Sequence, residues 1–399
     1  MLKFKEGGET MAGMNVAIKP EIISWILQVI QFDNVAVSVI DLLSKWKSGE
    51  KTPTFNQVEE ISRKTNIPFG YFFLDRPPVE DCPLADYRTV KSVAVSEPSR
   101  NLIDTLDSMQ DIQDWMTDYV IDNGQEKLTF VGAAAGVEDA DAVADDIRKV
   151  LQLDQQWFLQ SASVMDSFRL IKNVFEQAGI LVMMNGIVGN NTRRKLNVDE
   201  FRAFTLVNSY APLIFINTGD TDTGKLFSLL HELAHIWIGK NSLYNTQMNA
   251  SAESNDEKLC NAIAAEVLAP KDVFLEKWEE TEGTILEKVE ALAKVFKCSR
   301  FVIARRARDF KKITQEAYLE IVHALTEKYH EWKAKQDSVK STGGDYYRTL
   351  QSRLDHRLVI SLANSASEGR TQYSEVYRLT NTNRKSFGKL LSDIGGSGW

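Results

Sequence analysis

Two histidines four residues apart, His231 and His235, enclose a glutamate at 232, and this pentad constrains the chain more than any other feature. In an α-helix, positions i and i+4 differ by about 40° in azimuth and one turn in height, so both imidazoles can face one object. The flanking residues predict a helix from about Thr223 to Gly239, with Leu226, Leu229, Leu230, Leu233 and Trp237 on an apolar face. A zinc ion takes imidazole nitrogens at about 2.0–2.1 Å and keeps one position for water in catalytic sites. Glu232 stands beside the ligand pair, where it can take a proton from water whose pKa the metal lowers to about 7.

A third ligand should come from a second helix packed across the first. The segment Glu257-Lys258-Leu259-Cys260-Asn261 opens such a helix. Glu257 is the favoured ligand, and Asn261, one turn on, can hydrogen-bond a ligating histidine. Glu253, Asp256 and Glu266 are the competing carboxylates.

Upstream, Gly219-Asp220-Thr221-Asp222-Thr223-Gly224-Lys225 follows a strand and precedes a helix, as the first seven positions of a phosphate-cradling loop would. The eighth position, which should carry a magnesium-binding hydroxyl, is Leu226. Two acidic side chains within the loop would also repel phosphate. The segment reads as a polar turn capping the helix of the histidines.

The 399 residues are 43% hydrophobic and 26% charged, enough to bury a core. The net charge of -8 provides no global attraction for nucleic acid or anionic lipid. Three scattered cysteines, Cys82, Cys260 and Cys298, fit a reducing compartment. With no apolar leader and no long apolar run, a cytoplasmic location and no membrane contact are expected.

Five regions are expected. Residues 1–78 hold short amphipathic helices with helix-turn-helix rhythm, an XRE-like region closed by Pro77-Pro78. Residues 79–153 form a helical connector, and 154–285 hold the site, with strands at 180–184, 201–207 and 213–217. Residues 286–340 are a helical extension, again with helix-turn-helix rhythm. A linker at Ser338–Asp345 leads into a small unit, 341–399, with two short helices.

Residues 1–78 carry nine basic and nine acidic side chains, whereas nucleic-acid affinity needs clustered cations. The run Arg300, Arg305, Arg306, Arg308, Lys311 and Lys312 reads first as a solvated helix face. DNA is therefore a weakly supported partner. His323, His330 and His356 lie away from the pentad and read as surface or core histidines.

The ordered series of motifs resembles the ImmA/IrrE family of zinc metallopeptidases in its long form. It comprises Trp46 with Gly49, Pro53-Thr54 with Gln57, Phe72-Phe73-Leu74, Asp86-Tyr87-Arg88-Thr89, Glu200 to Phe204, and Pro212 with Asn217. The His231–His235 pentad, Glu257 with Asn261, and Leu268-Ala269-Pro270 complete it. Ala203, Leu230 and Cys260 depart from the family pattern without removing a ligand or base.

The resemblance implies an α+β, mostly helical fold: a gluzincin-like peptidase core with a small sheet packed on the zinc-binding helix, flanked by helical units. It implies Zn2+ held by His231, His235 and Glu257, and cleavage of a regulatory protein such as a DNA-bound repressor. By the same analogy, substrate backbone would add to an edge strand near Leu213–Asn217. The alternative is a regulator or antitoxin that acts by binding on the same fold, with a cognate toxin as partner.

Overall fold

The computed structural model describes residues 14–30, 35–78, 98–244, 254–338 and 345–395, with the side chains of 329–338 excepted. The chain forms two compact units, the first holding the described residues up to 106 and the second those from 107 on.

The first unit contains α1 (Pro20–Val29), α2 (Val37–Lys47), α3 (Phe55–Thr65) and a 3-10 turn at Phe69–Phe73. Pro20 presets the first turn of α1. Thr54 and Gln57 form a reciprocal capping box on α3, which ends at Asn66 in the left-handed region. Ile22, Ile26, Val39, Leu43, Trp46, Val58, Ile61 and Phe72 make its core. Four of its cations sit on nearby carboxylates: Lys19 on Asp75, Lys45 on Asp41, Arg63 on Glu59 and Lys64 on Glu60.

The next helix, α4 (Arg100–Asp122), belongs to the second unit from Asp107 on. It is followed by α5 (Ala140–Val150), α6 (Val164–Ala178), β1 (Leu181–Asn185), β2 (Ala203–Leu206) and β3 (Leu213–Asn217). Then come α7 (Asp222–Ile238), β4 (Ser242–Tyr244) and α8 (Asn255–Leu268). Four helices follow: α9 (Lys271–Glu280), α10 (Ile285–Val295), α11 (Arg300–Asp309) and α12 (Gln315–Ser338). The last four are α13 (Tyr346–Arg353), α14 (His356–Ser367), α15 (Tyr373–Thr380) and α16 (Arg384–Gly395). The fold is mostly helical with one small mixed sheet. None of the described helices is long and apolar enough to cross a membrane.

The sheet order is β1-β3-β2-β4. Strand β1 runs parallel to β3, while β2 is antiparallel to both β3 and β4. Every residue of β3 is buried. A continuous apolar strand is covered on both faces, and β3 also has a neighbour on each side. The expectation of substrate addition beside Leu213–Asn217 is therefore wrong: the backbone hydrogen bonds of β3 are taken by β1 and β2. Among the described residues the sheet edges are β1 and β4.

Helix α7 packs on β2 and β3 on one side and on α8 on another. Its residues from Ser228 to Ile238 are all buried, so it lies within the core. Its C-terminus is closed by Gly239, at φ 79°. The glycine- and alanine-rich turn after α4 comes close here. Gly132 N–H donates to Ile236 C=O at 3.0 Å and Ala134 N–H to Trp237 C=O at 2.8 Å. Phe130 stacks on Trp237 with centroids 4.6 Å apart.

The C-terminal region holds four helices where two were expected. The breaks are short capping turns that periodicity runs across: Asp345 caps α13, Asp355 caps α14, and Asn383 accepts the N–H of Ser386. Most of the expected linker, residues 339–344, lies outside the described residues.

Candidate active site

Helix α7 begins at Thr221, whose hydroxyl accepts the Gly224 N–H at 3.0 Å. Asp220 folds into the turn, with Arg202 Nη1 2.7 Å from both its oxygens. A Cβ on Gly224 would clash with that carboxylate. The buried Asp220 side chain occupies the interior of the turn, where a phosphate would otherwise sit. The segment caps the helix and leaves no cradle for an anion.

About two and a half turns into α7, His231 and His235 present their Nε2 atoms 3.2 Å apart. Glu257, in the first turn of α8, completes the set: Oε2 lies 3.2 Å from His231 Nε2, and Oε1 lies 3.2 Å from His235 Nε2. Ser254 caps α8 and fixes where that turn starts. Both imidazoles are buried, and the Glu257 side chain is 18% exposed, so the set opens to solvent on the carboxylate side.

Asn261 Oδ1 stands 3.1 Å from His231 Nδ1, accepting its proton and leaving Nε2 with a free lone pair. Tyr244 covers the His231 ring, centroids 4.0 Å apart, with Phe227 beside both. Of the competing carboxylates, Asp256 turns outward to Lys240. Glu266 is buried against Arg306 and Arg148, and Glu253 lies outside the described residues.

These donors fit a zinc ion. For ligands about 2.0–2.1 Å from a tetrahedral metal, neighbouring donor atoms stand about 3.3 Å apart, close to the three 3.2 Å separations here. Two neutral imidazoles and one carboxylate make a three-ligand catalytic set with one position left over. His231, His235 and Glu257 also form the metal-capable cluster found among the described residues.

Electrostatics agree. Burial opposes the charged form of Glu257, yet the two histidines hold its pKa far below the usual carboxylate value. Burial likewise opposes protonation of His235, but Cys260 and Glu257 outweigh it and raise its pKa well above normal.

Glu232 is fully buried. Its Oε2 accepts the Thr205 hydroxyl at 2.6 Å and the Ser242 hydroxyl, while Oε1 has no partner. A bare oxygen on a buried carboxylate costs about 1–3 kcal/mol or more, which a proton-donating ligand would relieve. Burial pushes the neighbouring Tyr244 phenol well above its ordinary pKa, so it stays neutral.

Thr205, Ser242 and Tyr244 were missed by sequence reasoning. Ser242 and Tyr244 share one face of a strand too short to show a period, and Thr205 is the one hydroxyl in a short apolar strand. Of the other histidines, His323 is exposed beside Glu327 and His356 is half-buried near Glu176. The basic run on α11 is locally paired: Arg300 with Glu290, Arg305 and Arg308 with Asp309, Arg306 with Glu266, and Lys312 with Glu279.

Two imidazoles and a carboxylate on facing helices, with a buried glutamate beside them, make a site able to hold a metal ion. Residues 175–308 match the peptidase family model described as the IrrE N-terminal-like domain. The match spans β1 to α11 and contains every residue of the site. Residues 354–392 match a domain of unknown function (DUF8813). No curated protein and no solved structure matches the chain.

Proposed function

We propose that the chain is an intracellular zinc metalloendopeptidase with a gluzincin-like core, acting on a cognate regulatory protein such as a repressor. The observation that carries this reading is the cluster of His231, His235 and Glu257, the two imidazole nitrogens 3.2 Å apart and each 3.2 Å from one Glu257 oxygen, with Glu232 one residue from the first ligand. A zinc ion held by these three side chains would supply Lewis acidity and lower the pKa of water to about 7.

The chain's own residues would do the rest. Asn261 fixes the His231 tautomer, and Tyr244 fixes its ring plane. Glu232 takes a proton from the attacking water at its unpartnered Oε1 and returns it to the leaving amine. The buried helix and the aromatic wall keep bulk water out, which strengthens each of these interactions. Of the two edges of the sheet among the described residues, β4 adjoins the site. An extended substrate segment would pair there, with Leu243 facing outward between the inward Ser242 and Tyr244.

The test is cleavage of the products of adjacent genes by the zinc-loaded chain, with Glu232→Gln as control. Cleavage by wild type, lost by at least about a thousandfold in Glu232→Gln, is the expected result. Zinc-loaded protein that cuts none of them, or cuts equally well as Glu232→Gln, contradicts it.

The alternative, a regulator or antitoxin acting by binding, draws on the material outside the matched peptidase segment: the first unit and the C-terminal helices. Under it, Glu232→Gln retains full biological activity, while surface changes in those flanks abolish it.

A further inference from the structure

Strands β2 and β4 place Thr205 and Ser242 directly opposite each other in register. Both hydroxyls meet one oxygen of Glu232, which lies on the adjoining helix α7. All three side chains are buried, Thr205 and Glu232 completely. Hydroxyl donors on Oε2 satisfy that oxygen and fix the carboxylate plane, whereas Oε1 is buried without a partner.

A glutamate held only by its backbone would have three rotatable bonds and could turn either oxygen to a ligand. Two donors from two strands remove that freedom. We infer that Thr205 and Ser242 form a hydroxyl clamp that positions Glu232, leaving Oε1 as its single proton-accepting atom. The clamp rests on the reading of Glu232 as general base. It assigns β4, only three residues long, a role in arming the site.

The geometry explains a local peculiarity. The strands around Glu232 are apolar, with Phe204, Leu206 and Phe215 buried nearby. A threonine and a serine on their inward face would be unfavourable there without acceptors. The carboxylate satisfies both hydroxyls, and each hydroxyl relieves part of the cost of burying a charge. A second acceptor for Thr205, the Glu232 backbone carbonyl at 3.1 Å, ties the strand to the same turn of helix.

The test uses the full-length zinc-loaded chain and acetohydroxamate, a small chelator that can bind a peptidase zinc and pass a proton to the adjacent base. Calorimetry gives its affinity, and metal analysis gives the zinc content of each variant. Thr205→Val and Ser242→Ala should each weaken acetohydroxamate about tenfold, toward the Glu232→Gln value, with zinc content unchanged. Thr205→Ser and Ser242→Thr, which keep a hydroxyl, should bind near the wild-type level.

Binding unchanged in Thr205→Val and Ser242→Ala, with Glu232→Gln weakened, overturns the clamp and leaves the peptidase reading standing. Parallel loss of zinc would assign the hydroxyls to the framework and also overturn it. A wild-type chain without zinc, or a Glu232→Gln chain that binds acetohydroxamate like wild type, sinks the peptidase reading and the clamp with it. Should Thr205→Val fail to fold, Ser242→Ala alone decides, since it removes one oxygen from a small side chain.

Discussion

Under the proposed function, Glu232 concentrates the conflict between stability and activity in one side chain. Its Oε1 is a buried, unpartnered acceptor, while Oε2 is satisfied by hydroxyls that a glutamine oxygen could equally accept. Glu232→Gln should therefore unfold at the same denaturant concentration as wild type or a higher one, while losing catalysis. A urea midpoint well below wild type would contradict this. The raised pKa of His235 has its own consequence. A metal must displace a proton that the empty site holds tightly, so apparent zinc affinity should fall as pH drops below that pKa. Competition with a chromophoric chelator at a series of pH values checks the sign, and a pH-independent affinity would refute it. His231, Glu232 and His235 were legible through helical spacing along α7, and Glu257 with Asn261 through the same spacing along α8, once the second helix was expected to pack across the first. Thr205, Ser242 and Tyr244 were not, since they reach the site through strand register, which depends on long-range pairing.

At the scale of elements, α7 is held by its two ends. Gly239 combines φ 79° with a close backbone approach: an added Cβ would stand 3.0 Å from the Gly132 Cα. Gly239→Ala should destabilise the chain by about 1–2 kcal/mol through the left-handed backbone alone, and more if Gly132 must move. Denaturant unfolding checks it, and an unchanged midpoint would show that this turn does not hold α7. Helix α7 was expected within one residue of its observed bounds, because its cap and apolar stripe mark it. Strand β3 was located correctly but misplaced as an edge, although its unbroken apolar run already argued for an interior strand. The three residues of β4 are too few to show a period.

On the scale of the whole molecule, Asp355 joins the C-terminal helices to the sheet. Its fully buried carboxylate accepts the N–H of Val182 at 3.0 Å, on the edge strand β1, and that of Leu358 at 2.9 Å, at the start of α14. Lys172 adds a bond to Leu354 C=O at 3.0 Å. Burial, then the nearby Glu176, pushes the Asp355 pKa from 3.8 up to about 6. The folded pKa exceeds the unfolded one, so the stabilising contribution is full below pH 3.8 and lost as pH rises through about 6. The stability advantage of wild type over Asp355→Asn should accordingly shrink across that window. Asp355→Asn should also lose about 1–3 kcal/mol, because its amide N–H meets a backbone N–H. Faster hydrogen exchange at Val182 would report the loosening locally, and exchange identical to wild type would refute it. This junction was illegible in the sequence: nothing local to Asp355 marks a partner 173 positions away.

The central claim is that His231, His235 and Glu257 close around one metal ion. Zinc-edge X-ray absorption of the purified full-length chain tests it most directly. The account predicts about one zinc per chain with only nitrogen and oxygen neighbours near 2.0–2.1 Å, two of them imidazoles. A sulfur shell at about 2.3 Å, or zinc that survives replacement of both His231 and His235 by alanine, would contradict it.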